Sequence, residues 1–193
     1  MLRRMLLIAL AALPLAACGS MTITDFEGTS PKLVLEDYFA GETRAYGIFR
    51  DRFGDLRRQF TVDIQGDWNP ETKTLTLDEA FQYADGETDT RVWQIEKTGP
   101  HRYRGTAGDV IGEATGQAYG NAFTWTYKVE LDVDGDTWTV TFDDWMFRQS
   151  DGIVINTADV SRWGLHVGTV TIVFRKPGAG GDGAPAEEIA EVM

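Results

Sequence analysis

The chain has 193 residues, with 18 Lys and Arg against 30 Asp and Glu, a net charge of −12. That length suits one domain, or at most two small ones, and can bury a core without disulfide staples. The acidic balance argues against nucleic acid and anionic membrane surfaces as partners, because a phosphate-binding face needs clustered Lys and Arg. A single cysteine leaves no internal disulfide framework and no multi-cysteine zinc site, and two histidines, His101 and His166, leave little for histidine catalysis.

The N-terminus carries an address. Arg3 and Arg4 form a positive n-region, and Met5 to Leu13 is an apolar run of nine residues. That is signal-peptide length and far short of the roughly 20 residues a spanning helix needs. Leu15-Ala16-Ala17-Cys18 follows at the correct spacing and resembles the lipobox of bacterial lipoproteins. The resemblance implies cleavage before Cys18, acyl chains on its sulfur and its new amino group, and stable attachment to a membrane. Gly19, rather than Asp, follows Cys18, which resembles the outer-membrane sorting pattern of Gram-negative bacteria. The expected organisation is a signal peptide over 1–17, a lipidated tether over 18–30, one β-barrel domain over 31–176 and a disordered Gly/Ala/Glu-rich tail over 177–193. Loss of Arg3 and Arg4 leaves 16 basic and 30 acidic residues, a net −14.

Ser30-Pro31 opens a short helix in this reading: Ser suits the N-cap and Pro the first helical position. Leu33, Val34, Leu35, Tyr38 and Phe39 give it an apolar side, and Gly41 ends it. Period-two alternation then runs almost to the end. It predicts strands near 43–51, 56–66, 73–84, 90–98, 101–108, 110–119, 122–132, 137–148, 153–161 and 166–175. Turn signals separate them, among them Gly66-Asp67, Asp85-Gly86, Gly120-Asn121, Asp134-Gly135 and Asp151-Gly152. About ten short strands with short connections predict an all-β fold, an antiparallel up-and-down barrel preceded by a short helix. Closure would remove exposed edges. The architecture resembles that of the calycins and lipocalins, although no Gly-x-Trp signature marks the first strand.

The strand faces locate candidate site residues. Leu75, Leu77, Glu79, Phe81 and Tyr83 share one face, as do Arg91, Trp93 and Ile95. A three-residue loop Ala84-Asp85-Gly86 would set Tyr83 opposite Glu87 and Glu79 opposite Arg91. A slip of one residue would put the two apolar faces on opposite sides. Phe123, Trp125, Tyr127, Val129 and Leu131 form another face, and Trp138, Val140, Phe142, Asp144 and Met146 a third. Val110, Gly112, Ala114, Gly116 and Ala118 form a face of small residues that either admits a close neighbour or leaves room inside. The predicted interior is therefore aromatic, interrupted by Glu79, Arg91, Asp144 and Asp109. Ionisable groups in such a place are costly unless paired and hydrogen-bonded.

Other signals carry less. Asp132 to Asp136 starts like a calcium loop, but the sixth and twelfth positions hold Thr137 and Asp143 where Gly and Glu are needed, so it reads as a hairpin turn. Asp143 and Asp144 are adjacent on a strand and point to opposite faces. No Gly-x-Ser-x-Gly surrounds any serine, Gly105 to Asp109 lacks a nucleotide-loop fingerprint, and neither His101 nor His166 has a nucleophile beside it. Arg57-Arg58 reads as a solvated strand edge. No catalytic residue, metal ligand or cofactor is assigned.

Several runs together resemble a domain-of-unknown-function family of proteobacterial lipoproteins. They are Glu79 to Glu87 with Arg91-Val92-Trp93, Tyr103 to Asp109, Gly116 to Asn121, Asp143 to Met146, Asn156, and Gly164 to Phe174. The resemblance covers about residues 31–176; Trp163 before Gly164 departs from the pattern. It implies the same address and no chemistry, since the family has no established activity.

The functional expectation is a non-enzymatic periplasmic lipoprotein, anchored to the outer membrane through acyl chains such as palmitate on Cys18. Its barrel would bind a small amphipathic or lipid-like ligand. Glu79, Arg91, Trp93, Trp125, Tyr127 and Asp144 are the candidate ligand-binding residues, with Arg91 as anchor for a carboxylate or phosphate. Two other classes stay open. One is a filled barrel with a structural or partner-binding role. The other is an enzyme using Glu79 or Asp144, raised in pKa, as acid or base. Protein partners stay open as well.

Overall fold

The structure, a computed structural model, describes residues 21–133 and 135–178. The predicted signal peptide, Cys18 and nearly all of the predicted tail lie outside the described residues. A 3₁₀ turn (Ile23–Phe26) and a five-residue helix, α1 (Leu35–Phe39), precede ten strands. These are β1 (Gly41–Asp51), β2 (Leu56–Asn69), β3 (Thr74–Tyr83), β4 (Thr88–Lys97), β5 (Arg102–Thr106), β6 (Ala114–Tyr119), β7 (Ala122–Val133), β8 (Asp136–Arg148), β9 (Val154–Arg162) and β10 (Leu165–Arg175). All pair antiparallel with their chain neighbours, and β1 pairs with β10, so the sheet closes into a barrel. The all-β, ten-stranded up-and-down architecture read from the alternation is the fold. Among the described residues no helix is long and apolar enough to cross a membrane.

Because the sheet is a meander, its connections alternate between the two ends. One end receives α1 and the turns around residues 70–73, 98–101, 120–121 and 149–153. The other carries the connections 52–55, 84–87, 107–113 and 163–164 and the β7–β8 hairpin. Leu33, Leu35, Tyr38 and Phe39 are buried, so α1 plugs the first end. The plug is tied down by Leu33 N–H donating to the Gly120 carbonyl (2.8 Å) and Tyr38 Oη donating to the Phe174 carbonyl (3.0 Å). Glu36, 8% exposed, is held there by Tyr103 Oη (2.9 Å) and by Lys97. The opposite end is rimmed by exposed apolar side chains: Phe53, Leu56, Ile111, Trp163 and Leu165.

Three expectations need correction. The helix does not start at Ser30-Pro31: residues 31–34 are not helical, Val34 is extended just before the first turn, and only Leu35–Phe39 is helical. Docking of Leu33 against Gly120 outweighs the local capping signal. The segment read wholly as tether also folds from residue 22. Phe26 packs on Trp145 and Phe147, at 6.0 and 5.4 Å between ring centroids. The predicted strand over 110–119 begins only at Ala114. Gly112 has φ of +72°, a conformation that breaks a strand, and Val110 makes an isolated bridge to Val129.

One glycine sets the plug's seat. A Cβ at Gly66, on the inner face of β2, would overlap the backbone carbonyl of Phe39. Gly66→Ala is expected to lift α1 and cost about 1–3 kcal/mol, the range for overpacking a tight site. Urea unfolding checks this; an unchanged midpoint would mean that the plug yields freely.

Candidate functional site

Inward-facing side chains of nearly every strand surround a cavity of about 250 Å³. Glu79, Arg91, Trp93, Trp125, Tyr127 and Asp144 all line it, so the barrel brings the six sequence-selected residues to one chamber. A larger groove of about 680 Å³ lies outside, over β1–β4, but it is lined mainly by solvated side chains such as Glu42, Arg44, Asp63 and Asp78. The inner chamber is the better site, because a ligand among its inward-facing side chains leaves more of its surface out of water.

The walls are aromatic. Trp93 meets Trp125 at 5.7 Å and Tyr127 at 5.3 Å, both edge to face, and Tyr127 stacks on Phe142 at 5.1 Å. The small-residue face of β6 explains why these rings fit. A Cβ at Gly116 would overlap Trp125 and Phe123, and one at Gly105 would stand 2.8 Å from Trp125. The glycines admit a close neighbour rather than leaving a void. Tyr127 also joins the two apolar clusters of the core: the larger holds Trp93, Phe123 and Trp125, and the smaller Val129, Val140 and Val160.

The polar set lies among these rings. Register places Glu79 opposite Arg91, with Gly86 in the left-handed region at the hairpin, as the alternation requires. The ion pair of Arg91, however, is with Asp109. The 107–113 connection folds back over β7, with Ile111 N–H on Lys128 O and Glu130 N–H on Asp109 O, and this delivers Asp109 to the guanidinium. Asp109 Oδ1 is buried without a partner. Arg91 also lies 5.8 Å from the Trp93 ring and 6.0 Å from the Phe81 ring. Glu79 is half-buried and lines the cavity. Burial therefore pushes its carboxyl up to about 7, with Arg91 opposing the rise and Asp109 adding to it.

Asp144 is 3% exposed and Asn156 2%. Asn156 Nδ2 donates to Asp144 Oδ1 at 2.7 Å. Asp144 Oδ2 and Asn156 Oδ1 have no partner in good geometry. Burial pushes the Asp144 carboxyl up to about 7, against the favourable pull of Asn156, the nearby Tyr127 hydroxyl and Arg91. Asp143 points outward as expected and accepts a hydrogen bond from Thr126 Oγ1 at 2.6 Å.

Sequence reasoning did not place Asn156 or Glu36 in a site. Asn156 was within reach of the pattern, since it shares parity with Val154, Ala158 and Val160, all buried. Of the residues set aside, His101 stacks on Tyr119 with ring centroids 4.1 Å apart, and His166 bonds Thr169 Oγ1 on the outer surface at 3.1 Å. Asp132 Oδ1 accepts Gly135 N–H at the β7–β8 hairpin (3.0 Å). Among the described residues no group of three or more His, Cys, Asp or Glu is placed to hold a metal ion.

A sequence profile described as a protein of unknown function, DUF3833, matches residues 12–176. No curated protein sequence matches the chain. Among solved structures, the S-type phycobiliprotein lyase CPES from Guillardia theta aligns with a TM-score of 0.49 and 8% identity, over 72% of this chain and 87% of that one.

Proposed function

Because the chain belongs to the DUF3833 family, whose members are described as proteins of unknown function, membership brings no activity, and we propose one from the cavity. The protein is a lipid-anchored envelope lipoprotein facing the periplasm, and its barrel is a non-enzymatic module that holds a small amphipathic molecule. The observation that carries this reading is the aromatic chamber of about 250 Å³ with Glu79, Arg91, Tyr127 and Asp144 on its walls. Binding sites of this kind combine an apolar lining with a few polar groups that fix orientation. The chamber, at about 250 Å³, falls just below the usual range of roughly 300–1,000 Å³, which favours a short ligand over a full-length acyl chain.

The anchor rests on the n-region, h-region and Leu15-Ala16-Ala17-Cys18. The first folded element, the 3₁₀ turn, starts at Ile23, five residues past Cys18. Even a fully extended chain over that stretch reaches about 17 Å, so the acyl chains would hold the domain close to the bilayer.

Mass spectrometry of the protein extracted from bacterial membranes tests both parts. The denatured chain is expected to begin at Cys18 with covalent acyl mass, which Cys18→Ser abolishes. The native protein is expected to carry a further stoichiometric mass that is lost on denaturation. A bare mass under native conditions, repeated after incubation with envelope lipid extract, would turn the reading towards a filled barrel.

A further inference from the structure

The chamber's polar groups define the end of the ligand they would accept. Asp144 Oδ2 and Asn156 Oδ1 are both acceptors and both buried, their residues line the cavity, and neither oxygen has a hydrogen-bond partner in good geometry, the Tyr127 hydroxyl lying near Asp144. Leaving such atoms unmatched is unfavourable, so the site selects a donor. Among the described residues, Arg91 is the one cation lining the chamber, and it is already engaged by Asp109, whose second oxygen has no hydrogen-bond partner. Glu79 adds a third carboxyl. With Asp109 already on the guanidinium and the Glu79 and Asp144 carboxyls on the wall, Arg91 has little left to offer a further anion, whatever the sequence expectation for it.

We propose that the chamber binds the ammonium end of a small alkyl or aryl amine, with Asp144 Oδ2 and Asn156 Oδ1 as its acceptors. An ammonium offers three donors and no acceptor, which matches two orphaned oxygens with one bond to spare. Its charge is attracted by the Asp144 carboxylate and by the faces of Trp125 and Tyr127, while Trp93 and its neighbours cover the apolar remainder. This rests on the reading of the barrel as a ligand-binding module and names the class of ligand.

The test uses the chain from residue 21 onward, which contains the plug, the core and all ten strands. Hexylamine, hexanoate and hexan-1-ol share one apolar chain and differ in the head group. Calorimetric titration near neutral pH is expected to show hexylamine binding at least about tenfold tighter than either of the others, the scale on which a paired polar group discriminates. Asp144→Asn is expected to weaken hexylamine by about tenfold or more while changing hexan-1-ol by less than about twofold. Equal amine affinity in the parent and the variant would overturn the assignment. Tighter binding of hexanoate would overturn it too, while leaving the ligand-binding reading intact. If none of the three binds the parent, both fall together.

Discussion

Asp144→Asn is expected to stabilise the domain by about 2–4 kcal/mol near pH 8 and to change it little near pH 4. The ordinary aspartate pKa is 3.8, and burial raises Asp144 to about 7 in the folded protein. Below the lower value both states are protonated and the group is neutral to stability. Between the two values the folded state holds a proton that the unfolded state has released, so stability falls as pH rises. Above about 7 both are ionised and the full cost of a carboxylate buried among aromatic rings is present. Asparagine has the same shape and no charge. Its amide oxygen can still accept from Asn156 Nδ2, and its NH2 can donate where Asp144 Oδ2 could not, towards Asn156 Oδ1. Glu79 titrates in the same sense, so the variant keeps a shallower slope of the same sign. Urea midpoints across this pH range decide the matter. A variant no more stable than the parent near pH 8 would mean that Asp144 is compensated in a way its surroundings do not reveal.

Arg91→Met should act in the opposite direction. Arg91 and Asp109 keep 26% and 31% of their side chains accessible, so their pair is only partly buried. Removing the guanidinium strands Asp109 and withdraws the attraction that holds the Glu79 pKa down. The expected loss is about 2–3 kcal/mol near neutral pH, below the 3–5 of a fully buried pair. Methionine keeps the length and apolar stem of arginine, so packing changes least. Adding Asp109→Asn should recover a good part of the loss, because the cost lies in the uncompensated carboxylate rather than in the missing contact. A double-mutant cycle with no coupling between the two positions would place the energy elsewhere, for instance in the contacts of Arg91 with Trp93 and Phe81.

Much of this site was legible in the sequence because side chains on a strand alternate with a fixed period. Given that Leu75, Leu77, Phe81 and Tyr83 face inward, Glu79 must as well, and the same parity places Asp144 beside Phe142 and Met146. The Asp85-Gly86 turn then fixes the register that sets Glu79 against Arg91. What parity does not reach is anything delivered by a connection. Asp109 lies in a segment whose alternation through Val110 and Gly112 mimics a strand, and its meeting with Arg91 depends on how that segment folds over β7. The helix start was hidden for a related reason. Ser30 and Pro31 carry local signals, while the backbone from 31 to 34 follows a contact with Gly120, remote in sequence. The closing pair of β1 and β10 is likewise invisible to any local window.

That closing pair gives the molecule a property of a ring. Nine of its ten ladders are hairpins between consecutive strands, so each can form with little loop entropy and from any starting point. The β1–β10 seam alone joins distant parts of the chain, and it is the natural last step of assembly. Lys176, just past β10, reaches the carbonyls of Ala40 and Glu42 at the start of β1, so the two ends of the barrel stand side by side. In its hydrogen bonding the barrel has no first strand. A chain joined across that gap and opened at the Trp163-Gly164 turn would keep every ladder and exchange only which seam closes last.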